Sequence, residues 1–259
     1  MEKLEFSKCI VDGVEVKRCR KTIHSYKMHM HNELTIGYIE EGSTTVVLGE
    51  KEYKFRAGDA MIIPPLMSHM CSPDDIEKWQ TVILYVSPYY YESAAEFTEA
   101  YQLSKENVEN LLELLGAIED VADEAYVENL LIGLLVDCAE DYRKNDEQGH
   151  ADESRLEAEV AEYIKDNYLK DITLSGLEDR FGINKFTIIR NFKSKYNTTP
   201  MSYQLQLKLA EAKNMLFRGL EVLDVCDELR FYDQAHFIRE FKKTNGITPA
   251  AYKNELIKN

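Results

Sequence analysis

The chain has 259 residues, 44% of them apolar, enough for one large domain or two modest ones with ordinary cores. No run of about 18 apolar residues exists to cross a bilayer, and the opening MEKLEFSKC is too charged for a signal peptide. The five cysteines, Cys9, Cys19, Cys71, Cys138 and Cys226, are odd in number and lack C-x-x-C spacing, which argues against a zinc knuckle or disulfide scaffold and for a reduced, cytoplasmic protein with no membrane partner.

In chain order, the runs between Val14 and Tyr85 are short, β-type and spaced about ten residues apart, with Gly42, Gly49 and Gly58 at the joints; they predict a small antiparallel barrel or jelly roll. His29, His31 and Glu33 alternate and so share a strand face, with His69 on a later run. Three imidazoles and a carboxylate could hold zinc, nickel or iron, could line a polar effector pocket without metal, or could simply pack the barrel. Tyr38, Tyr53, Trp79 and Tyr85 could line a pocket for a sugar-like ligand, although strand aromatics also serve as core. From about Ser104 to Lys144 the apolar period becomes helical and predicts two amphipathic helices. Their leucines Leu111, Leu112, Leu115, Leu131, Leu134 and Leu135 exceed what a small barrel needs and are expected to include a homodimer contact. The polar stretch Asn145 to Ser154 reads as a linker. The resulting division is a barrel over 1–100, a helical dimerisation segment over 101–144, a linker over 145–154 and an all-α domain over 155–259.

The net charge of −15 is unevenly placed. Residues 1–150 carry 14 Lys+Arg against 29 Asp+Glu, whereas 151–259 carry 17 of each, so the excess acid is all N-terminal. The second half repeats itself at an offset of 49 residues: Ile189, Arg190, Phe192, Lys193, Pro200 and Tyr203 recur as Ile238, Arg239, Phe241, Lys242, Pro249 and Tyr252. Each unit reads as helix, tight turn, helix. Leu174 to Phe181 leads through Gly182, Ile183 and Asn184 to Lys185 to Tyr196, and Val222 to Leu229 leads through Arg230 to Asp233 to Thr244, with Asn184 and Asp233 placed as caps. The stretch SYQLQLKLAEAKNMLF joins them as one helix.

ITLSGLEDRFGINKFTIIRNFKSKYNTTPMSY and FYDQAHFIREFKKTNGITPAAYK together resemble the AraC family of transcription regulators, over about Leu156 to Asn254. Three residues depart from the family pattern: Arg230 for a glycine in the second turn, Glu178 for an alanine, and Lys208 for an arginine. His29 to Glu33, Gly42, Gly58-Asp59, Ile63-Pro64-Pro65 and His69 resemble the cupin-like ligand domain of such regulators. The expected fold is therefore α+β: a cupin-like β-barrel with a helical hairpin, then an all-α domain with two helix-turn-helix motifs. The resemblance implies a non-enzymatic, dimeric regulator, more an activator than a repressor, that binds double-stranded DNA, a small-molecule effector and RNA polymerase and calls for no cofactor. Lys185, Phe186, Ile189, Arg190 and Lys193 in the first unit, with Gln234, His236, Arg239 and Lys242 in the second, are the expected DNA-contacting residues. His29, His31, Glu33, Tyr38, His69 and Trp79 are the expected effector contacts. Two rivals stay open: a metal-dependent cupin enzyme using His29, His31, Glu33 and His69, and a regulator controlled only by a protein partner.

Overall fold

The computed structural model describes residues 3–22, 28–48, 51–91, 97, 99–145, 155–196 and 198–257; most of the expected linker, and Gly49, lie outside them. Among the described residues nine strands come first, with single helical turns between some of them: β1 (Lys3–Lys8), β2 (Val14–Arg20), β3 (Leu34–Glu41), β4 (Ser43–Leu48), β5 (Lys51–Arg56), β6 (Ala60–Ile63), β7 (His69–Pro73), β8 (Gln80–Val86) and β9 (Tyr101–Gln102). They form a six-stranded antiparallel sheet in the order β1-β2-β8-β3-β6-β9 and a three-stranded sheet in the order β5-β4-β7. Gly42 (φ 89°) turns the chain between β3 and β4, where a Cβ would meet the Lys78 carbonyl oxygen at 2.9 Å; only glycine fits that corner.

The pleat sorts the large sheet into two faces. Val14, Val16, Leu34, Ile36, Ile62, Val82, Leu84 and Val86 point away from the small sheet, into a core shared with helices α2 (Lys105–Glu119) and α3 (Glu124–Asn145), which follow the one-turn helix α1 (Pro88–Tyr91). The other face meets the small sheet through Ile39, Val46, Leu48, Phe55, Met61, Ile63 and Trp79. This arrangement accounts for five of the six leucines. Leu111, Leu115, Leu131, Leu134 and Leu135 are buried within the chain, and Leu112 alone of the six is exposed. The apolar excess of the hairpin covers the outer face of a sheet that, being open, has two apolar faces to hide.

The second half is α4 (Arg155–Asn167), α5 (Leu174–Phe181), α6 (Lys185–Tyr196), α7 (Pro200–Phe217), α8 (Val222–Glu228), α9 (Gln234–Asn245) and α10 (Pro249–Ile257). The repeat is structural as well as sequential, since each unit has its own core. Leu177, Ile188, Phe192 and Tyr203 build the first, and Cys226, Phe237, Phe241 and Tyr252 build the second. Ring pairs recur at matched positions, Phe192 with Tyr203 at 5.4 Å and Phe241 with Tyr252 at 5.9 Å. Barrel residues complete both cores: Phe6 and Leu4 enter the second, Met30 and Leu66 the first.

Arg230 adopts φ 52°, the left-handed conformation that its place in the second turn demands. Arg230→Gly is expected to relieve this strain and raise stability by up to about 1 kcal/mol, offset in part by the freer unfolded chain. Urea unfolding of the two proteins measures it, and a clear loss of stability in the glycine variant would contradict the strain argument.

Candidate nucleic-acid interface and effector cavity

Helices α6 and α9 are oriented by the same device. In each, two side chains four residues apart are buried, Ile188 with Phe192 and Phe237 with Phe241, which turns the opposite face to solvent. Asn184 Oδ1 accepts from the Phe186 amide at 3.0 Å and Asp233 Oδ1 from the His236 amide at 2.6 Å, so both helix starts are capped as the sequence suggests. On α6, Phe186, Arg190 and Lys193 are exposed while Lys185 and Ile189 are half-buried. On α9, Gln234, Arg239 and Lys242 are exposed and His236 is half-buried, its ring 6.1 Å from that of Phe231. Lys185 to Lys195 holds four cations and no acid, whereas Asp233 to Lys243 holds three cations and two acids, and Lys243 pairs with Glu240. Sequence reasoning passed over Tyr232, 97% exposed in the second turn, and Leu223, 60% exposed on α8. An aromatic beside a helix cap was the available signal for the first.

A cavity of about 70 Å³ lies between the two sheets. His29, His31, His69 and Trp79 line it, with Cys19, Thr35, Ile39, Met61, Cys71 and Tyr85. His29 and His69 face each other across a two-hydrogen-bond bridge, amide to carbonyl at 3.0 and 2.8 Å. His31, two residues on, shares the face. The three rings lie 4.4 to 5.3 Å apart. Burial disfavours the charged form of two of the rings: it pushes His69 down to about 4 and His31 well below the usual histidine range. Two expected contacts fall elsewhere. Tyr38 has the strand parity of Leu34 and Ile36 and packs on the side of α2 and α3. Glu33 sits in a bend before β3, not on a strand with His31, and lies beyond Tyr85 in a crevice against α7.

That crevice contains a buried charge cluster that the sequence did not announce. Lys213 of α7 is 2% exposed, with Nζ 3.1 Å from Glu15 and 3.4 Å from Glu33. The Tyr252 hydroxyl of α10 donates to the other Glu15 oxygen. Lys213 Nζ also sits 3.4 Å from the centroid of the Tyr85 ring. Beside it Lys17 is wholly buried over the Phe6 ring at 4.9 Å, and burial pushes its amine down to about 7. Burial likewise raises the Glu15 carboxyl. Tyr85 borders both the barrel cavity and the crevice, and its ring lies 4.8 Å from that of His31.

A cavity between the sheets of a β-barrel, joined to two helix-turn-helix units with solvent-facing second helices, is the build of a ligand-binding transcription regulator. Residues 13–159 match the AraC-like ligand binding domain and residues 177–255 a helix-turn-helix domain; the chain belongs to the AraC family. It is 25% identical over 234 residues to the HTH-type transcriptional regulator YbfI of Bacillus subtilis, covering 86% of this chain and 85% of that one. It is 21% identical over 251 residues to the HTH-type transcriptional activator RhaS of Pectobacterium atrosepticum, covering 89% and 88%. Its fold is similar to that of unsaturated fatty acid bound ToxT from Vibrio cholerae, with a TM-score of 0.64 at 14% identity, covering 95% of this chain and 96% of that one. Among the described residues no helix is long and apolar enough to cross a membrane.

Proposed function

We infer that this chain is a cytoplasmic, homodimeric activator that reads one operator with both helix-turn-helix units in successive major grooves and changes its grip when a small molecule fills the barrel. The observation that carries this reading is the pair of second helices, α6 and α9, each locked by two buried side chains and presenting Arg190 and Lys193, or Gln234, Arg239 and Lys242, outward. Lys185, Phe186, Ile189 and His236 complete the proposed contact set. Activation is carried over from RhaS, and contact to RNA polymerase from the family resemblance. The barrel lining, largely apolar with the histidines, Asp59 and a few threonines as its polar part, favours a compact molecule with one polar end over a sugar. Filling the cavity presses on Tyr85, and Tyr85 touches Lys213 on α7, the helix that spaces the two units. That is the route proposed for the effector signal. Selection from randomised duplex DNA with the full chain tests the reading: a recovered sequence bound at least about a thousandfold more tightly than random DNA supports it, and failure to enrich any sequence overturns it.

The dimer surface proposed here is the outer face of the helical hairpin, where Leu112, Ile132 and Val136 are exposed. Placing glutamate at both Ile132 and Val136 is expected to convert a dimer into a monomer in sedimentation velocity. A dimer that survives both changes uses another surface.

A further inference from the structure

The three barrel histidines do more than line a wall. Their ligand atoms all lie within 4.8 Å of one another, and all three residues are buried. His69 Nδ1 donates to the Met67 carbonyl at 2.9 Å, which fixes the tautomer and puts the lone pair on Nε2. The backbone bridge between His29 and His69 holds those two side chains at one level of the barrel, and His31 follows on the same face. Packing alone would be served as well by apolar side chains such as Ile39, Val46, Leu48 and Met61, which fill the rest of the space between the sheets.

We propose that His29, His31 and His69 bind one divalent transition-metal ion, with its remaining coordination position open to the barrel cavity. Metal–imidazole bonds of about 2.0–2.1 Å set tetrahedral N···N separations of about 3.4 Å, so the widest pair closes by roughly 1.4 Å, within reach of side-chain rotation. Glu33 is not a fourth ligand, because it is committed to Lys213 at 3.4 Å. The set is then three neutral nitrogens, and the ion keeps its full double charge inside an apolar wall. Such a centre favours an anionic donor at the open position, and a small organic carboxylate is the effector chemistry it would take. This last step rests on the reading of the barrel as the effector site; the metal site itself does not.

The test uses the full chain stripped with chelator and titrated with Co(II), then with Zn(II) in competition. One equivalent is expected to bind, with a four-coordinate cobalt spectrum lacking thiolate charge transfer. His29→Ala and His69→Ala are expected to abolish binding while far-UV circular dichroism and binding to random DNA are kept, and Cys71→Ser to leave it intact. Absence of stoichiometric binding by the wild-type chain overturns the proposal without any variant having to fold. So does binding that survives both histidine changes, or a thiolate band that disappears in Cys71→Ser. Operator affinity measured with and without metal and acetate is a separate reading: if it never changes while metal binds, the effector reading fails and the metal site stands.

Discussion

Replacing Lys213 by alanine is expected to destabilise the chain by about 3–5 kcal/mol, because it removes the cation that pairs directly with the buried carboxylates of Glu15 and Glu33. The loss falls on one surface. Glu15 and Glu33 belong to the barrel, Lys213 to α7 and Tyr252 to α10, so the cluster ties the barrel to the helical half. A single unfolding transition should therefore separate into two, and proteolysis should cut the chain between barrel and helices sooner. The triple change Lys213→Met, Glu15→Gln and Glu33→Gln should recover most of the loss, since neutral groups of similar size escape the desolvation penalty of unpaired charge. Urea unfolding with limited proteolysis measures both. If Lys213→Ala costs less than about 1 kcal/mol, the range of an exposed pair, the cluster is solvated in solution and does not hold the halves together.

The same cluster marks where reading the sequence stops. Local signals carried far: the alternation of Val14 and Val16 with Glu15 and Lys17 marks a strand, Asn184 and Asp233 mark helix starts, and the 49-residue repeat marks two units. Each depends on neighbours within a few residues. Glu15 and Lys17, however, carry the pattern of a solvent-facing edge, and their burial comes from α7 and α10 some 200 residues later. No local rule brings Lys213 to them. Glu33 failed for a related reason: the chain bends at Asn32 and Glu33 before β3 begins, so strand alternation from His31 does not reach it, and it lies in the crevice beyond Tyr85. Tyr38 is the opposite case, since its parity with Leu34 and Ile36 was available and points it toward the helices. The leucines of α2 and α3 could not be assigned from amphipathicity alone, because an apolar helix face looks the same whether a sheet of the same chain or a second subunit covers it.

The binding energy on DNA is expected to divide unequally between the two repeats. Lys193 is exposed on α6, within an eleven-residue stretch holding four cations and no acid, so it is placed to meet phosphate. Lys193→Ala should weaken operator and random DNA alike and reduce the slope of log affinity against log salt by about 1. Gln234 stands at the first position of α9, exposed, with an amide head able to pair with an adenine edge. Its helix carries less net charge, because Asp233 caps it and Glu240 holds Lys243, so it contributes less to non-specific attraction. Gln234→Ala should cost about 1–3 kcal/mol on the operator, roughly 5- to 150-fold, and leave random DNA and the salt slope unchanged. Fluorescence anisotropy with both DNAs at two salt concentrations separates the effects. A Lys193→Ala loss confined to the operator, or a Gln234→Ala loss shared equally by random DNA, would mean that α6 reads bases and α9 grips the backbone, the reverse of the assignment made from their charge.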